Sequence, residues 1–582
     1  MRYLREAGNE FAQAFPDRAR TLNMDRMGES DPHVQHLYEG FAFLMGRLRH
    51  KLDDELPELT EGLMSMLWPH YLRMIPSVSI LEMVPAAGDH IIDQVIPIGI
   101  EVTSDPIGSD AIKCTYRTTQ PVALHPLRLT IADAHIRADG RSVLRFRFAL
   151  QTSKRGADLD LSRLCMYLHA DRPVAFALYA AMTSTPLAMT IGIPGYPKER
   201  PGAPHVHEGL RIAPSGFATT QRLWPKADNA FGGYQLLLEY FTFPEKFMFV
   251  DLLGLDSSAI PADVPYVDIE IVLATALPVD MPFSAENVRL FCTPIINLFT
   301  QEAEPVNVTH QETEYRVRAN GPGGAHVDVY AVENVSGRDA SSGDRFEYAP
   351  FTAFRHRGGM LRHELPERYF HTRMRRGPSG RFDAYLVLGG HAWEHQQTLQ
   401  AEKLSVTVTC TNGIVPRQAL GAGRIRHMGP GFMHIDAVRN LTSPTMPVYP
   451  PTGERYQWRV LSHFAPNYVS LLDAERLRGS LALYDWTDGP LNKRRIEAIT
   501  HVAHRLLQKL VKGGLQRGVE IEVTVISSRF AGDGDLQLFS AMLNRFFGLY
   551  ATLNLFTKLI VVTHPEGQRI AWPVTKGEGA PW

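Results

Sequence analysis

LRFRFAL, residues 144–150, decides which kind of fold to expect, because its apolar and charged side chains alternate strictly. Leucines and phenylalanines fall on one face and two arginines on the other, the pattern of a half-buried β-strand. LSVTVTC at residues 404–410 repeats this alternation and leads to Asn412-Gly413, a strong turn signal. Proline and glycine interrupt residues 77–450 at short intervals, as in sandwich or barrel-like β domains. We therefore expect a large, mainly-β middle region.

The first 76 residues show helical periodicity instead. Asp31 is a suitable N-cap, and Pro32 suits the first position of a helix. Apolar side chains then recur at spacings of three and four: Val34, Leu37, Tyr38, Phe41, Leu44, Met45, Leu48 and Leu52. This continuous stripe predicts an amphipathic helix with one long face to bury.

The C-terminal part combines both periodicities and predicts a small α+β domain. Its expected elements are, in order, helices at 468–477 and 491–512, a strand at 519–528, a helix along 536–550 and a strand at 556–562. A short helix is also expected near residues 174–182 of the middle region.

These patterns predict an α+β multidomain protein. At 582 residues with 44% hydrophobic side chains, the chain is long enough for three or four domains, each with its own core. The predicted segments are a helical N-terminal region at 1–76, a mainly-β domain at 77–310, a second mainly-β domain at 311–440 and an α+β domain at 441–582.

Charge and cysteine usage exclude several classes of protein. The formal net charge is −2, from 60 basic and 62 acidic residues, so bulk electrostatics favour neither nucleic acid nor an anionic membrane. Four widely spaced cysteines predict reduced thiols rather than a disulfide framework or a zinc site. Arg2, Arg5 and Glu6 interrupt the N-terminus, and no run of about 18 apolar residues follows. We expect a cytoplasmic protein without direct membrane insertion.

A search for catalytic motifs yields no phosphate loop, no GxSxG elbow and no HExxH helix. His205 and His207, followed by Glu208, form a possible metal half-site, but the Pro/Gly-rich surroundings favour a solvated loop. His391 and His395 would share a helical face, yet a third ligand is missing.

GDGD at residues 532–535 resembles the start of a calcium loop. The later oxygen ligands are absent, so a tight turn before the following helix is favoured. We expect no catalytic residue, no metal and no cofactor.

EYFTFPEKFMFVDLLGL at residues 239–255 places five aromatic rings in a short run. Glu239, Glu245, Lys246 and Asp251 interrupt the run, which excludes a membrane segment. No basic groove accompanies the rings, as a stacking platform for single-stranded nucleic acid would need. Aromatic side chains dominate protein cores and interfaces, and the run is expected in one of the two.

The longer stretch YQLLLEYFTFPEKFMFVDLLGL, residues 234–255, resembles a hallmark of the TssF family, also called ImpG or VasA. Members are baseplate subunits of bacterial type VI secretion systems. The residues that carry the resemblance are Glu239, Tyr240, Phe241, Phe243, Pro244, Phe247 and Phe249. Further stretches resemble family motifs in the same order, at residues 31–80, 293–306, 458–486 and 532–561. The resemblance extends over essentially the whole chain.

The resemblance implies a structural protein without enzymatic activity. It implies that two copies of TssF associate with one TssG in a wedge, as in contractile phage tails. TssK then links the wedge to the inner-membrane complex, and TssE links it to the sheath. Six wedges would surround the VgrG spike, prime assembly of the Hcp tube and sheath, and transmit contraction.

Two groups of residues are candidate partner interfaces under this interpretation. The N-terminal stripe through Leu37, Phe41, Leu44 and Leu48 suits helix packing between subunits, with an intramolecular core as the alternative. Phe546, Phe547 and Tyr550 would contact a neighbouring wedge, or instead pack on their own small sheet.

Two other classes of function stay open at this stage. A multidomain β binding module, similar to a tail fibre, would recognise carbohydrate or a cell surface through exposed aromatic clefts. A metal-dependent hydrolase would use His205, His207 and a distant acid. The helical N-terminal region argues against the first, and a metal analysis tests the second.

Overall fold

The computed structural model describes the following residues: 40, 43–44, 62–65, 68–86, 94–150, 159–184, 186–195, 205–206, 209–224, 232–255, 260–261, 264–274, 277–278, 281–309, 311–320, 326–338, 343, 345–351, 368–377, 381–390, 402–429, 431–432, 434–451, 459–460, 471–511, 514–551 and 555–577. The chain forms two compact units. One comprises Met1–Leu67 with Gly453–Ser462, and the other Trp68–Thr452 with His463–Trp582. The predicted boundaries at 310 and 440 both fall inside the second unit.

The described residues of the first unit are helical. They are residues 40, 43–44, 62–65 and 459–460. Phe43 and Leu44 lie in the predicted long helix, and both side chains are largely exposed.

A six-stranded antiparallel sheet in the second unit joins distant parts of the sequence. Its strand order is Ile425–Met428, Glu101–Ser104, Thr115–Thr118, Cys292–Ile296, Val78–Pro85 and Ile435–Asn440. The strand Val78–Pro85 is buried on both faces and pairs with a neighbour on each side, with Leu81 opposite Thr293 and Asn440.

Three smaller sheets use the rest of residues 94–290. A five-stranded sheet has the order His205–Val206, Ala188–Gly192, Tyr266–Val272, Ser142–Leu150 and Leu127–Ile136. A four-stranded sheet has the order Arg211–Pro214, Phe249–Leu253, Arg163–Leu168 and Val288–Leu290. A ribbon pairs Gln94–Ile96 with Val122–Leu124.

The eight-stranded sheet has a hydrophobic core of its own. Its order is Phe299–Glu302, Glu402–Thr411, Asp328–Arg338, Arg345–Pro350, Tyr369–Arg376, Phe382–Gly389 and Tyr315–Val317, and Val306–Val308 also pairs with Glu402–Thr411. Leu404, Val406 and Val408 alternate into this core, as the sequence pattern predicted.

The C-terminal sheet mixes parallel and antiparallel pairs. Its order is Ile499–Val511, Gly514–Ile526, Leu555–His564 and Arg569–Ala571, with Thr575–Lys576 also on Leu555–His564. Gly514–Ile526 and Leu555–His564 run parallel, and a long helix connects them.

Six α-helices accompany the sheets in the described part of the second unit. They are α1 (Arg172–Thr183), α2 (Gly232–Thr242), α3 (Val415–Ala419), α4 (Ala474–Leu483), α5 (Pro490–Glu497) and α6 (Asp533–Tyr550). Short 3₁₀ turns occupy Pro69–Leu72, Pro244–Phe247, Ala285–Asn287 and Ser527–Arg529.

Most sequence predictions of element type are confirmed. The alternating stretch at 144–150 lies in the strand Ser142–Leu150, the expected short helix is α1, and the C-terminal aromatic helix is α6. The fold is mostly β with few helices, as expected for this α+β class.

The predicted helix over residues 491–512 is wrong beyond Glu497. The chain forms α5 and then the strand Ile499–Val511. Apolar residues in that stretch fit helical spacing, but all along its length the strand pairs with Gly514–Ile526. This long-range pairing outweighs the local propensity. Of the helix predicted at 468–477, residues 468–470 lie outside the described residues. Helix α4 begins at Ala474, where the Asp473 side chain caps it by accepting from the Arg476 amide at 3.0 Å.

Candidate functional site

The aromatic run folds into three successive elements. Helix α2 ends at Thr242, the 3₁₀ turn begins at Pro244, and the strand Phe249–Leu253 follows. Pro244 sits at the start of its turn, where its fixed φ and missing N–H are tolerated. All five rings are buried: Tyr240, Phe241, Phe243, Phe247 and Phe249. The sequence predicted these rings either in the protein core or in an interface, and the structure places them in the core.

The rings connect the middle of the chain with the C-terminal helix α6. The ring of Tyr240 lies 5.9 Å from that of Phe247 and 6.2 Å from that of Phe539, measured between centres. Six residues before Tyr240 in α2, Tyr234 stacks on Tyr484, with 4.6 Å between ring centres. Such contacts contribute about 0.5–1.5 kcal/mol each beyond the area that they bury.

A buried ion pair holds the aromatic run against its own helix. The side chains of Glu239 and Lys246 are each 1% exposed, and the Lys246 ammonium donates to Glu239 Oε2. Glu239 Oε1 accepts from the Leu223 amide and from Gln235 Nε2, both at 3.0 Å. Burial lowers the pKa of Lys246, and the carboxylate of Glu239 opposes this effect. The carboxylate is fully satisfied, as a buried charge requires.

A second buried ion pair joins α5 to α6. The Arg495 guanidinium donates to both carboxylate oxygens of Asp535, through Nε at 3.2 Å to Oδ2 and through a second nitrogen to Oδ1. Asp535 Oδ2 also accepts from the Ala531 amide at 3.0 Å. The guanidinium carbon lies 5.6 Å from the centre of the Tyr240 ring. Arg495 therefore faces both the carboxylate and the aromatic run.

Close backbone packing completes the contact. A Cβ on Gly534 would lie 1.9 Å from the carbonyl oxygen of Phe176, so only glycine lets α6 approach α1 this closely. Asn492 belongs to the same contact, because its side chain donates to the Phe241 carbonyl oxygen. We call this assembly of residues the buried joint: Glu239, Tyr240, Phe241, Lys246, Asn492, Arg495, Asp535 and Phe539. It fixes the C-terminal elements on the middle of the chain.

The predicted interface residues fall into different environments. Leu44 is 63% exposed, whereas Leu37, Phe41 and Leu48 lie outside the described residues. Phe546 and Phe547 are 0% exposed, so the core alternative applies to them in this fold. Tyr550 is half-buried, with its ring 6.1 Å from that of Phe546.

The metal candidates gain no support from geometry. His205 lies in a two-residue strand, and His207, Glu208, His391 and His395 are outside the described residues. Within the ranges described, no group of three His, Cys, Asp or Glu side chains is placed to hold a metal ion. In GDGD, only Gly532, with φ +130°, precedes α6; Asp533, Gly534 and Asp535 form the first turn of that helix, where a separate tight turn was expected. Asp535 is bound to Arg495.

The four cysteines are free thiols, and burial raises the pKa of Cys114 and of Cys410 to about 12. No helix in the described part of the chain is long and apolar enough to cross a membrane.

Sequence reasoning missed the polar members of the buried joint. From the sequence, Lys246 is only a charge that excludes a membrane segment, Asp535 is only part of the calcium-loop candidate GDGD, and Arg495 belongs to no candidate site. The one available signal was the position of Lys246 between two phenylalanines, where a cation needs a buried partner.

The sequence model described as "Type VI secretion system, TssF" matches residues 1–579. The chain belongs to the TssF family. A TssF relative from Pseudomonas aeruginosa, "Type VI secretion system component TssF1", is 27% identical over 619 aligned residues, which cover 99% of this chain and 97% of the relative.

Two solved structures contain chains similar to this TssF family member. One is the TssK-TssF-TssG baseplate subcomplex of the type VI secretion system, determined by cryo-electron microscopy. Its matching chain is 45% identical, with a TM-score of 0.79 over 93% of this chain and 98% of that one. The other is the baseplate complex from the type VI secretion system, with 42% identity and a TM-score of 0.64 over 100% of this chain and 98% of the other.

Proposed function

We propose that this TssF family member is a structural, non-enzymatic subunit of a type VI secretion baseplate. The observation that carries the proposal is the match to a chain of the solved TssK-TssF-TssG subcomplex over 93% of this chain. The match has 45% identity and also spans 98% of the chain in that subcomplex. The family membership over residues 1–579 agrees with it.

The proposed partners are a TssG, a TssK and a second copy of this chain. TssK, TssF and TssG are named together in the solved subcomplex. The ratio of two TssF copies to one TssG follows from the family resemblance, as do the further partners TssE, VgrG and Hcp. The proposed location is the cytoplasmic side of the inner-membrane complex, where such a baseplate docks.

The buried joint suits a part that transmits force. Contraction of a sheath loads the baseplate, and a subunit with independent C-terminal elements would absorb that load by bending. Two buried ion pairs, the ring contacts of Tyr240 and the close approach at Gly534 oppose such bending. The joint supports a rigid structural role and offers no reacting group to a substrate.

The helical stripe is the proposed contact with TssG. Its described member Leu44 is 63% exposed on a helix, which is unfavourable for a leucine that meets only water. Leu37, Phe41 and Leu48 belong to the same stripe by their spacing.

Co-expression with a TssG-like and a TssK-like protein of the same bacterium, followed by native mass spectrometry, tests the proposal. We expect a complex with two copies of this chain for each TssG. Leu44→Asp should weaken it, whereas Ile136→Asp, at a similarly exposed residue in the second unit, should not. A monodisperse lone chain that ignores both proteins would overturn the proposal.

A further inference from the structure

The strand Ile499–Val511 is the terminal strand of the C-terminal sheet. It pairs with Gly514–Ile526 on one side, from Ile499 opposite Val525 to Val511 opposite Gly514. Among the residues that the structure describes, no strand pairs with its other side. The Arg478 guanidinium donates to the Ile499 carbonyl at 3.0 Å and covers the start of the strand. We call residues 501–508, beyond this contact, the open edge.

Every second residue of an edge strand directs its backbone N–H and C=O away from the sheet. The open edge therefore presents a row of backbone donors and acceptors. Eight residues are as long as a typical strand in a globular protein. In length and backbone chemistry, the open edge can take an added strand.

Burial decreases steeply along the open edge. Val502 is 7% exposed, whereas Leu506, two residue pairs further along the same face, is 79% exposed. The residue opposite Leu506 is Val519, which is buried. Leu506 is the most exposed large apolar side chain among the described residues. It extends the apolar face of the sheet past the region that the chain itself covers.

The ionisable side chains of the edge strand are all basic. ITHVAHRLLQKLV contains His501, His504, Arg505 and Lys509 and no acidic residue. The Arg505 side chain contacts Glu520 in the adjacent strand, but Glu520 is also bound by Lys558. Arg505 is still 71% exposed, so its charge is available to a partner.

This charge decides between two kinds of occupant. A second copy of this chain, paired through the same edge, would bring the basic side chains of two identical strands together, which is unfavourable. A strand with acidic side chains would pair with them instead. Basic side chains also protect natural edge strands against unwanted pairing, but such protection does not call for a leucine as exposed as Leu506.

We propose that the open edge receives an extended segment of a different baseplate protein, with acidic and apolar side chains alternating along it. The added strand would continue the sheet by backbone hydrogen bonds. Its apolar side chains would cover Leu506, and its acidic ones, on the opposite face, would meet Arg505 and His501. The inference rests on the proposed function, because the protein that supplies the added strand is another subunit of the baseplate.

Hydrogen exchange resolved to single residues tests the proposal on the full chain, alone and co-purified with its TssG-like and TssK-like proteins. We expect amides at alternate positions between His501 and Gln508 to exchange at least about tenfold more slowly in the complex. The intervening amides, already bonded to Gly514–Ile526, should change little. Equal exchange at 501–508 in an intact complex would overturn this inference and leave the proposed function standing. Failure to form any complex would overturn both.

A pair of variants adds a second readout. Arg505→Glu with Leu506→Asp should remove the added protection and weaken partner retention about thirtyfold, as for the loss of a central interface contact. The control is Arg569→Glu with Ile136→Asp, because Arg569 contacts Glu522 of the same neighbouring strand from its other side and Ile136 lies on another sheet. The control should behave as wild type.

A photo-crosslinker at residue 506 identifies the occupant. Crosslinks to an acidic segment of a different protein in the complex would support the proposal. Crosslinks to a second copy of this chain would overturn it.

Discussion

The Asn492 side chain donates a hydrogen bond to the main-chain carbonyl oxygen of Phe241 at 3.0 Å, across 251 residues of sequence. The same nitrogen lies 3.0 Å from Asp485 Oδ1, and Asn492 Oδ1 accepts from Arg495 at 3.1 Å. One amide thus ties helix α5 to the end of α2 and to the ion pair with α6. The buried joint is therefore a single connected network, and its parts should fail together.

Asn492→Ala should destabilise the second unit by about 2 kcal/mol, because it leaves the Phe241 carbonyl and an Arg495 N–H unsatisfied in a buried site. Denaturant unfolding followed by tryptophan fluorescence measures the effect. The matched control is Lys493→Ala, which removes only the solvent-exposed pair with Asp488 and should change stability far less than Asn492→Ala does. Equal effects would contradict the role of the joint.

Lys246→Met should cost about 3–5 kcal/mol, since it leaves the Glu239 carboxylate buried without its cation. The double variant Glu239→Gln with Lys246→Met removes both charges and should regain most of that loss. Thermal unfolding should rank the three proteins by stability, with wild type highest, the double variant next and Lys246→Met lowest. A double variant as unstable as the single one would show that packing, not the ion pair, sets the cost.

Gly534→Ala should separate α6 from α1, because the new methyl group would meet the Phe176 carbonyl oxygen, a backbone atom. We expect a destabilisation of about 1–3 kcal/mol, as for other overpacked sites. Gly479→Ala in α4 is the control: nothing lies within 4 Å of its added Cβ, so alanine should be neutral or stabilising there. The melting temperature should therefore fall in Gly534→Ala and stay the same or rise in Gly479→Ala.

Asp105 makes the acid stability of the six-stranded sheet testable. Hydrogen bonds from Arg426 at 2.8 Å and from His427 at 2.9 Å hold the pKa of Asp105 below its ordinary value of 3.8. A lowered pKa means that the unfolded chain binds the proton more readily than the folded one. The stabilisation is therefore present above pH 3.8 and is lost as the pH falls through the lower folded value.

Melting temperatures between pH 5 and pH 2 should fall more steeply in wild type than in Asp105→Asn, which has no carboxylate to protonate. Asp110→Asn removes a carboxylate on the exposed loop nearby and should keep the wild-type slope. Identical slopes in all three proteins would remove Asp105 from the account of acid sensitivity.

The sequence predicts the secondary structure correctly where the periodicity of apolar residues is compatible with only one type of element. Residues 144–150 alternate because one face is buried, and the same rule gives the strand Glu402–Thr411. It fails at residues 499–511, whose apolar residues fit a helix as well as a strand. Only the partner strand decides between the two, and local propensity carries no information about it.

The burial of the aromatic rings in the candidate site was predictable from the sequence, whereas the partners of its charged residues were not. Aromatic content predicted that the run at 239–255 is core or interface, and burial shows core. The charges of Lys246, Arg495 and Asp535 were not predictable as buried, because each acquires its partner only through the tertiary fold. For Phe546 and Phe547, the sequence predicted an apolar helical face but not what covers it. The spacing of apolar residues is the same whether the face packs against a partner protein or within the chain itself.

The place of Val78–Pro85 in the six-stranded sheet has a consequence for biosynthesis. One of its two neighbours, Ile435–Asn440, leaves the ribosome some 355 residues after the strand itself. At about 5–20 residues per second, that delay is roughly 20–70 s. During this time a nearly continuous apolar strand, VSILEMV, has an unpaired edge in the nascent chain. This subunit should therefore depend on chaperones that hold it during translation, and faster completion of the chain should increase its yield.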